Sequence, residues 1–86
     1  MATSVAKKKS KEVTVALGLA IKELRAKVEI SQEELAHKAG LDRGYMGAVE
    51  RGSYNLTLKN IVKVCDALEI KPSLLLKTAE KYWETE

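Results

Sequence analysis

Residues 31–52 read SQEELAHKAGLDRGYMGAVERG. Four of the chain's five glycines fall in the thirteen positions from Gly40 to Gly52, and their purpose decides the fold. Glycine is a weak helix former, but it takes left-handed conformations and lets a backbone come close to a partner. A phosphate-cradling loop needs glycines at fixed spacing after a strand. Gly40, Gly44 and Gly47 give G-x3-G-x2-G, which fits neither G-x-G-x-x-G nor G-x4-G-K-[ST], and no strand-like alternation precedes it. A flexible linker is also excluded, because Leu41, Met46 and Val49 keep a buried rhythm through the segment.

Two short helices around a tight turn remain. Ser31 offers a hydroxyl at an N-cap, and Glu34 three residues later completes a capping box. Leu35, Ala36 and Ala39 form the buried side of this helix, with Ala36 small where its neighbour comes closest. Gly40 stands where a left-handed residue ends a helix. Asp42 caps the next helix, of about ten residues, with Met46 and Val49 inward and Gly52 as its stop. Two helices crossing steeply over a Gly-containing turn form a helix-turn-helix.

Outward from this pair the helical period continues. Val13, Leu17, Ala20, Ile21, Leu24 and Val28 recur at three- and four-residue steps and predict a first helix, with Lys22, Glu23, Ala26 and Lys27 facing away. Thr57 caps a fourth helix with Leu58, Ile61, Val62, Cys65 and Leu68 on its stripe. Pro72 opens a fifth, whose apolar members are Leu74, Leu75, Leu76, Ala79, Tyr82 and Trp83. The class is all-α: five short helices in one domain over residues 12–86, preceded by a basic arm over residues 1–11.

Composition agrees. The chain has 86 residues, no Phe and one Pro, so a single aliphatic, helix-favouring core is indicated. The net charge of +3 is unevenly placed. The arm holds Lys7, Lys8, Lys9 and Lys11 and no acid, and residues 37–63 carry five basic against two acidic side chains. Both flanking segments are net acidic. That distribution points to a polyanionic partner. KKKSK followed by VTVALGLAI imitates a signal peptide, but Glu12 interrupts it and Lys22 ends the apolar run early; the run is too short to span a bilayer. One cysteine, Cys65, among apolar neighbours fits a reducing cytoplasm. There, the Asn55-Leu56-Thr57 sequon has no meaning. His37 has no second histidine and Cys65 lies on a core stripe, so no metal is expected. No nucleophile and base are set around His37, so an enzyme is the least favoured class. No cofactor, small-molecule ligand or membrane is implied.

The segments LGLAIKELR, SQEELAHKAGLDRGYMGAVERG and LTLKNIVKVCDALEIKPSLL, in this order, resemble the phage-repressor and Cro-type (Xre-like) helix-turn-helix regulators. The resemblance runs from about Leu17 to Leu76, with Leu35, Ala36, Gly40, Leu41, Met46 and Val49 in register. LDRGYMGAVER is also similar to the small controller proteins of restriction–modification systems. The resemblance implies a lambda-repressor-like domain with helices two and three as the helix-turn-helix. Its third helix enters the DNA major groove.

On that helix Arg43, Gly44, Gly47 and Arg51 are expected outward with Ala48 alongside, the glycines clearing bulk from the DNA face. Arg43 is the expected base reader, since its fork matches guanine O6 and N7. With no side chains at 44 and 47, DNA shape and arm contacts are expected to share the specificity. Gln32 is expected to meet a phosphate and brace the third helix. Tyr45, Asn55, Thr57, Lys59 and Asn60 are further backbone-contact candidates, and the four arm lysines are expected to lie along DNA. The family pattern pairs Glu50 with Arg25 and places Leu75 and Leu76 in the core. Leu74, Ala79, Tyr82 and Trp83 are then expected at a homodimer interface. The expected function is a sequence-specific regulator bound to a double-stranded DNA operator. An adaptor or antitoxin-like interaction module with little DNA binding is the alternative, and salt-dependent DNA affinity separates the two.

Overall fold

Side-chain caps and left-handed turns mark off five helices in the computed structural model, which describes residues 12–83. They are α1 (Val13–Lys27), α2 (Gln32–Ala39), α3 (Arg43–Glu50), α4 (Leu58–Leu68) and α5 (Pro72–Trp83), with no strand among the described residues. The arm carrying Lys7, Lys8, Lys9 and Lys11 lies outside these residues.

Three helices start on a side-chain oxygen. Ser31 Oγ accepts from Glu34 N at 3.0 Å while Glu34 Oε1 accepts from Ser31 N at 2.9 Å. Asp42 Oδ2 accepts from Tyr45 N, and Thr57 Oγ1 accepts from Asn60 N, each at 3.1 Å. These caps satisfy amides that the helices themselves leave unpaired.

The ends of α1 and α4 are less legible. Both close with a glutamate in the left-handed region, Glu29 at φ 58° and Glu69 at φ 59°. In each case the following isoleucine donates its amide back into the helix, Ile30 to Arg25 O and Ile70 to Cys65 O. Both isoleucines then pack against the core. This is the geometry that glycine usually serves. Here the half-buried isoleucine after it, packed against the core, offsets the steric cost of a side chain at positive φ.

The core is aliphatic. Leu17, Ala20, Ile21 and Leu24 of α1 meet Leu35, Ala36 and Ala39 of α2, Met46 and Val49 of α3, Val64, Cys65 and Leu68 of α4, and Leu75 and Ala79 of α5. Burial of side chains such as Ile21, Leu35, Met46 and Leu75 contributes roughly 1.5–3 kcal/mol each relative to exposure. This packing is what holds α3, since eight residues are too few for an independent helix in water.

Several expected core residues lie elsewhere. Val13 and Val28 fall at the two ends of α1, beyond what the other helices cover, and both are exposed. On α4 the inward stripe is the half-buried Ile61 with the buried Val64, Cys65 and Leu68, a three–four pattern; Leu58 and Val62 form a second i,i+4 pair on the flank and are 74% and 40% exposed. On α5 the stripe passes through Leu75, Thr78 and Ala79, so Leu76, about 100° round the helix from Leu75, points to solvent. Thr78 joins the buried side because its Oγ1 donates to Leu74 O at 2.8 Å.

The dimer expectation changes with it. Ala79 is a core residue with no exposed surface, because it shares the Leu75 face. Tyr82 and Trp83 fold back on their own domain: Tyr82 Oη donates to Glu23 of α1, and Trp83 packs against the core. Lys81 Nζ joins the same Glu23 carboxylate at 2.9 Å, so Glu23 ties α1 to α5 rather than facing freely away. Of the four residues proposed for the interface, Leu74 alone is an exposed apolar side chain.

Candidate nucleic-acid interface

The second helix of the pair is held from behind by a charged group. Glu50 ends α3, and its side chain is 3% exposed. Arg25 of α1 grips it with two bonds, Nε to Oε2 at 2.8 Å and Nη2 to Oε1 at 3.0 Å. Arg25 Nη1 also donates to Ile30 O at 3.0 Å, which ties the grip to the α1–α2 turn. The bond to Glu50 pushes the arginine pKa still higher, so this cation is permanent. Gln32, the first residue of α2, donates from Nε2 to Glu50 Oε1 at 3.0 Å. One carboxylate therefore joins α1, α2 and α3, and among the described residues no buried side-chain polar atom is left without a partner.

Close packing fixes the same helix from a second side. A Cβ built on Gly18 of α1 would come 2.5 Å from Val49 O and 2.6 Å from Glu50 O, both backbone atoms. α1 and α3 thus touch backbone to backbone at Gly18. Gly52, at φ 82°, leaves α3 with Val15 of α1 directly beneath it; a Cβ there would be 2.7 Å from Val15 Cγ2. Glycine alone fits such a position, since the backbone is left-handed and the space is closed.

A third tie comes from the far side. Tyr45 of α3 accepts at its hydroxyl from Asn60 Nδ2 of α4 at 3.1 Å. Its ring stacks on Tyr54, with centroids 5.7 Å apart and planes at 27°. Tyr54 escaped the sequence reading, because a lone exposed aromatic in a loop carries no periodicity.

With α3 held on these sides, its N-terminal turn faces water. Arg43 and Gly44 are exposed, and the nearest atom to a Cβ at 44 would be the capping oxygen of Asp42 at 3.0 Å. Arg51, just past the helix, is exposed as well, as are Asn55, Thr57 and Lys59. Gly47 and Ala48 depart from expectation: both are buried. At Gly47 the cover is the chain's own Gln32 and Arg51, whose Oε1 and Nη1 lie 3.2 Å and 3.4 Å from the position a Cβ would take. The glycine makes room for protein side chains, not for direct approach of a ligand. Ala48 neighbours Val49 on the inward side, 7% exposed. Among the described residues no three His, Cys, Asp or Glu side chains gather as a metal site. None of the described helices is long and apolar enough to cross a membrane.

This architecture is that of a DNA-binding helix-turn-helix domain: five helices, with the α2–α3 pair locked at its base and bare at its tip. The helix-turn-helix family model matches residues 21–75, and the chain belongs to that family. It is similar to the control protein C.BamHI of Bacillus amyloliquefaciens, 37% identical over 65 residues, which cover 74% of this chain and 80% of that one. A hypothetical transcription factor of Neisseria meningitidis is 52% identical over 46 residues, 54% of this chain but only 43% of that protein. Among solved structures, the restriction–modification controller protein C.AhdI from Aeromonas hydrophila superposes with a TM-score of 0.71 at 48% identity, covering 72% of this chain and 94% of that one.

Proposed function

We propose that the chain is a sequence-specific regulator of transcription that binds a double-stranded DNA operator as a homodimer, with α3 in the major groove. The observation that carries this is the contrast along α3. Its C-terminal end is locked by Arg25, Glu50 and Gln32, while its N-terminal turn offers Arg43 and Gly44 to solvent. A rigid base and an exposed tip that presents an arginine suit groove insertion.

In this reading Arg43 reads a guanine edge. Gln32, Tyr45, Arg51, Asn55, Thr57, Lys59 and Asn60 meet the DNA backbone around it, and Lys7, Lys8, Lys9 and Lys11 follow the duplex as an arm. Two copies place their α3 helices about 34 Å apart, on half-sites ~10 bp apart centre to centre. The exposed apolar side chains Leu58 and Val62 of α4 and Leu74 and Leu76 of α5 supply surface for pairing. The protein works in the cytoplasm, where Cys65 stays a thiol. Within the class, the relatives favour control of a restriction–modification system.

Selection of bound sequences from random duplex DNA, followed by footprinting, tests the reading. A palindromic site is expected, and Arg43→Ala is expected to relax one guanine per half-site. Absence of any salt-dependent DNA affinity overturns DNA binding. Unchanged preference at every position in Arg43→Ala removes Arg43 as the reader. A neighbouring endonuclease and methyltransferase gene pair is the expected genomic setting of a controller.

A further inference from the structure

Gly47 is buried in the middle of α3 although it has no side chain to bury. Its cover differs in kind from that of Gly18. At Gly18 the three nearest atoms to a built Cβ are all backbone, at 2.5 to 2.9 Å. At Gly47 all three are side-chain atoms: Gln32 Oε1 at 3.2 Å, Arg51 Nη1 at 3.4 Å and Gln32 Cδ at 3.8 Å. The fold requires a glycine at 18. At 47 the close neighbours are instead two long polar side chains.

Those two side chains have little in common otherwise. Gln32 opens α2 and is half-buried; Arg51 follows α3 and is exposed. Gln32 is clamped at its nitrogen by Glu50, which Arg25 holds in turn. One N–H of that amide is used by Glu50, and the second remains available, beside the five donors of a guanidinium. Arg51 follows Gly47 by four residues and its Nη1 lies beside the same glycine, so an amide and a guanidinium meet over one bare stretch of helix.

We propose that Gly47 is a positioning residue for DNA binding. The slot left by its missing side chain seats Gln32 and Arg51 together across the flank of α3, as one paired donor for the phosphate backbone. The proposal rests on the DNA-binding reading above and deepens it. Its physical content is preorganisation: two side chains rich in rotamers are ordered by folding, so the ordering cost does not fall on binding. A methyl group at position 47 presses on Gln32 Oε1, 3.2 Å away, and takes up the space beside Arg51 Nη1, at contact distance of 3.4 Å. Because the displaced atoms are the ends of flexible side chains, it shifts them without unseating the helix. Alanine also favours the helical state more than glycine does.

The 86-residue chain and a mixed-sequence DNA duplex provide the test, with Kd measured over a salt series and thermal midpoints recorded in parallel. Gly47→Ala is expected to melt at or above the parent, by up to a few degrees. Its DNA affinity is expected to fall about tenfold, a change of ~1.4 kcal/mol. The slope of log K against log salt is expected to shrink by about 0.9, the loss of one phosphate contact. Arg51→Ala is expected to weaken binding in the parent and to weaken it far less in the Gly47→Ala background, because the seat is already gone. Parent-like affinity and slope in Gly47→Ala overturn the proposal, as does an undiminished effect of Arg51→Ala in that background. A lowered thermal midpoint for Gly47→Ala also overturns it, since the glycine then serves the fold. A parent protein without DNA affinity overturns the DNA-binding reading itself, and the parent's own salt curve reveals that before any variant is made.

Discussion

Replacing Gly18 by alanine sets two effects of opposite sign against each other. Gly18 lies inside α1, where alanine favours the helix by about 1 kcal/mol. Judged by sequence alone, the substitution stabilises the protein. The structure reverses the sign. The new methyl carbon would meet Val49 O at 2.5 Å, Glu50 O at 2.6 Å and Glu50 C at 2.9 Å, and none of these belongs to a side chain that can turn aside. To restore an ordinary contact of about 3.4 Å, α1 and α3 must part by roughly 0.9 Å, a gap that forfeits a quarter to a half of each neighbouring dispersion contact. Overpacking of this kind costs about 1–3 kcal/mol. The same separation stretches the Arg25–Glu50 bonds, now 2.8 and 3.0 Å, around a buried carboxylate. Such an ion pair costs several kcal/mol when left incomplete. The expected net loss is about 2 kcal/mol after the helix-propensity gain, or a fall of roughly 8–16 °C in Tm for a domain of this size. Urea unfolding followed by far-ultraviolet circular dichroism measures it. A Gly18→Ala protein as stable as the parent would refute the close approach of α1 and α3.

Glu50→Ala leaves Arg25 and Gln32 facing an emptied, buried site and is expected to destabilise by about 3 kcal/mol; a midpoint within error of the parent in urea would show that the carboxylate does not hold the three helices. The Glu23 carboxyl is held below its ordinary pKa, first by the Tyr82 hydroxyl and then by Lys81. A lowered folded-state pKa gives stability that is present above the unfolded carboxylate value of about 4.3 and lost as pH falls through the folded one. Glu23→Gln is therefore expected to be less stable than the parent at neutral pH, with the gap closing in acid. Parallel urea titrations at pH 7 and pH 3 check the sign, and a gap that widens in acid contradicts it.

How much of this was open to sequence reasoning depended on whether one helix face or several carried the signal. α2 was fully legible, because SQEE is a cap, Leu35, Ala36 and Ala39 are its apolar residues, and Gly40 adopts the left-handed φ of 70° that such a stop requires. α4 was legible in position but not in rotation. Its apolar residues outnumber one stripe, so the period alone admits Leu58 and Val62 as inward residues, whereas the structure buries Val64. The run Leu74-Leu75-Leu76 is worse, since three consecutive leucines have no period, and only tertiary packing selects Leu75 as the buried one. Glu29 and Glu69 were silent, because glutamate is not a signal for positive φ. Gly18 was silent for a related reason: a glycine inside a helix shows that something comes close, but not what. Contacts across the chain, such as Tyr45 with Asn60 and Tyr54, leave no local pattern at all.

The geometry of α3 connects stability to recognition. Eight residues do not form a helix unaided, so the direction in which Arg43 points is set by three ties. These are the backbone contact at Gly18, the carboxylate of Glu50 and the Tyr45 hydroxyl on Asn60. Two of them reach the C-terminal half of α3 and one its first turn, so the helix is held along its length, not at a point. Loosening any one is expected to leave most of the core in place and to shift α3. Loss of DNA affinity is then expected to precede loss of fold as these ties are weakened singly. The glycines divide along the same line: Gly18 and Gly52 let α3 and its exit lie against α1, while Gly47 lets Gln32 and Arg51 lie against α3. A helix with glycine in its interior is a poor helix by propensity. It is tolerated here because its neighbours, rather than its own residues, keep it in place.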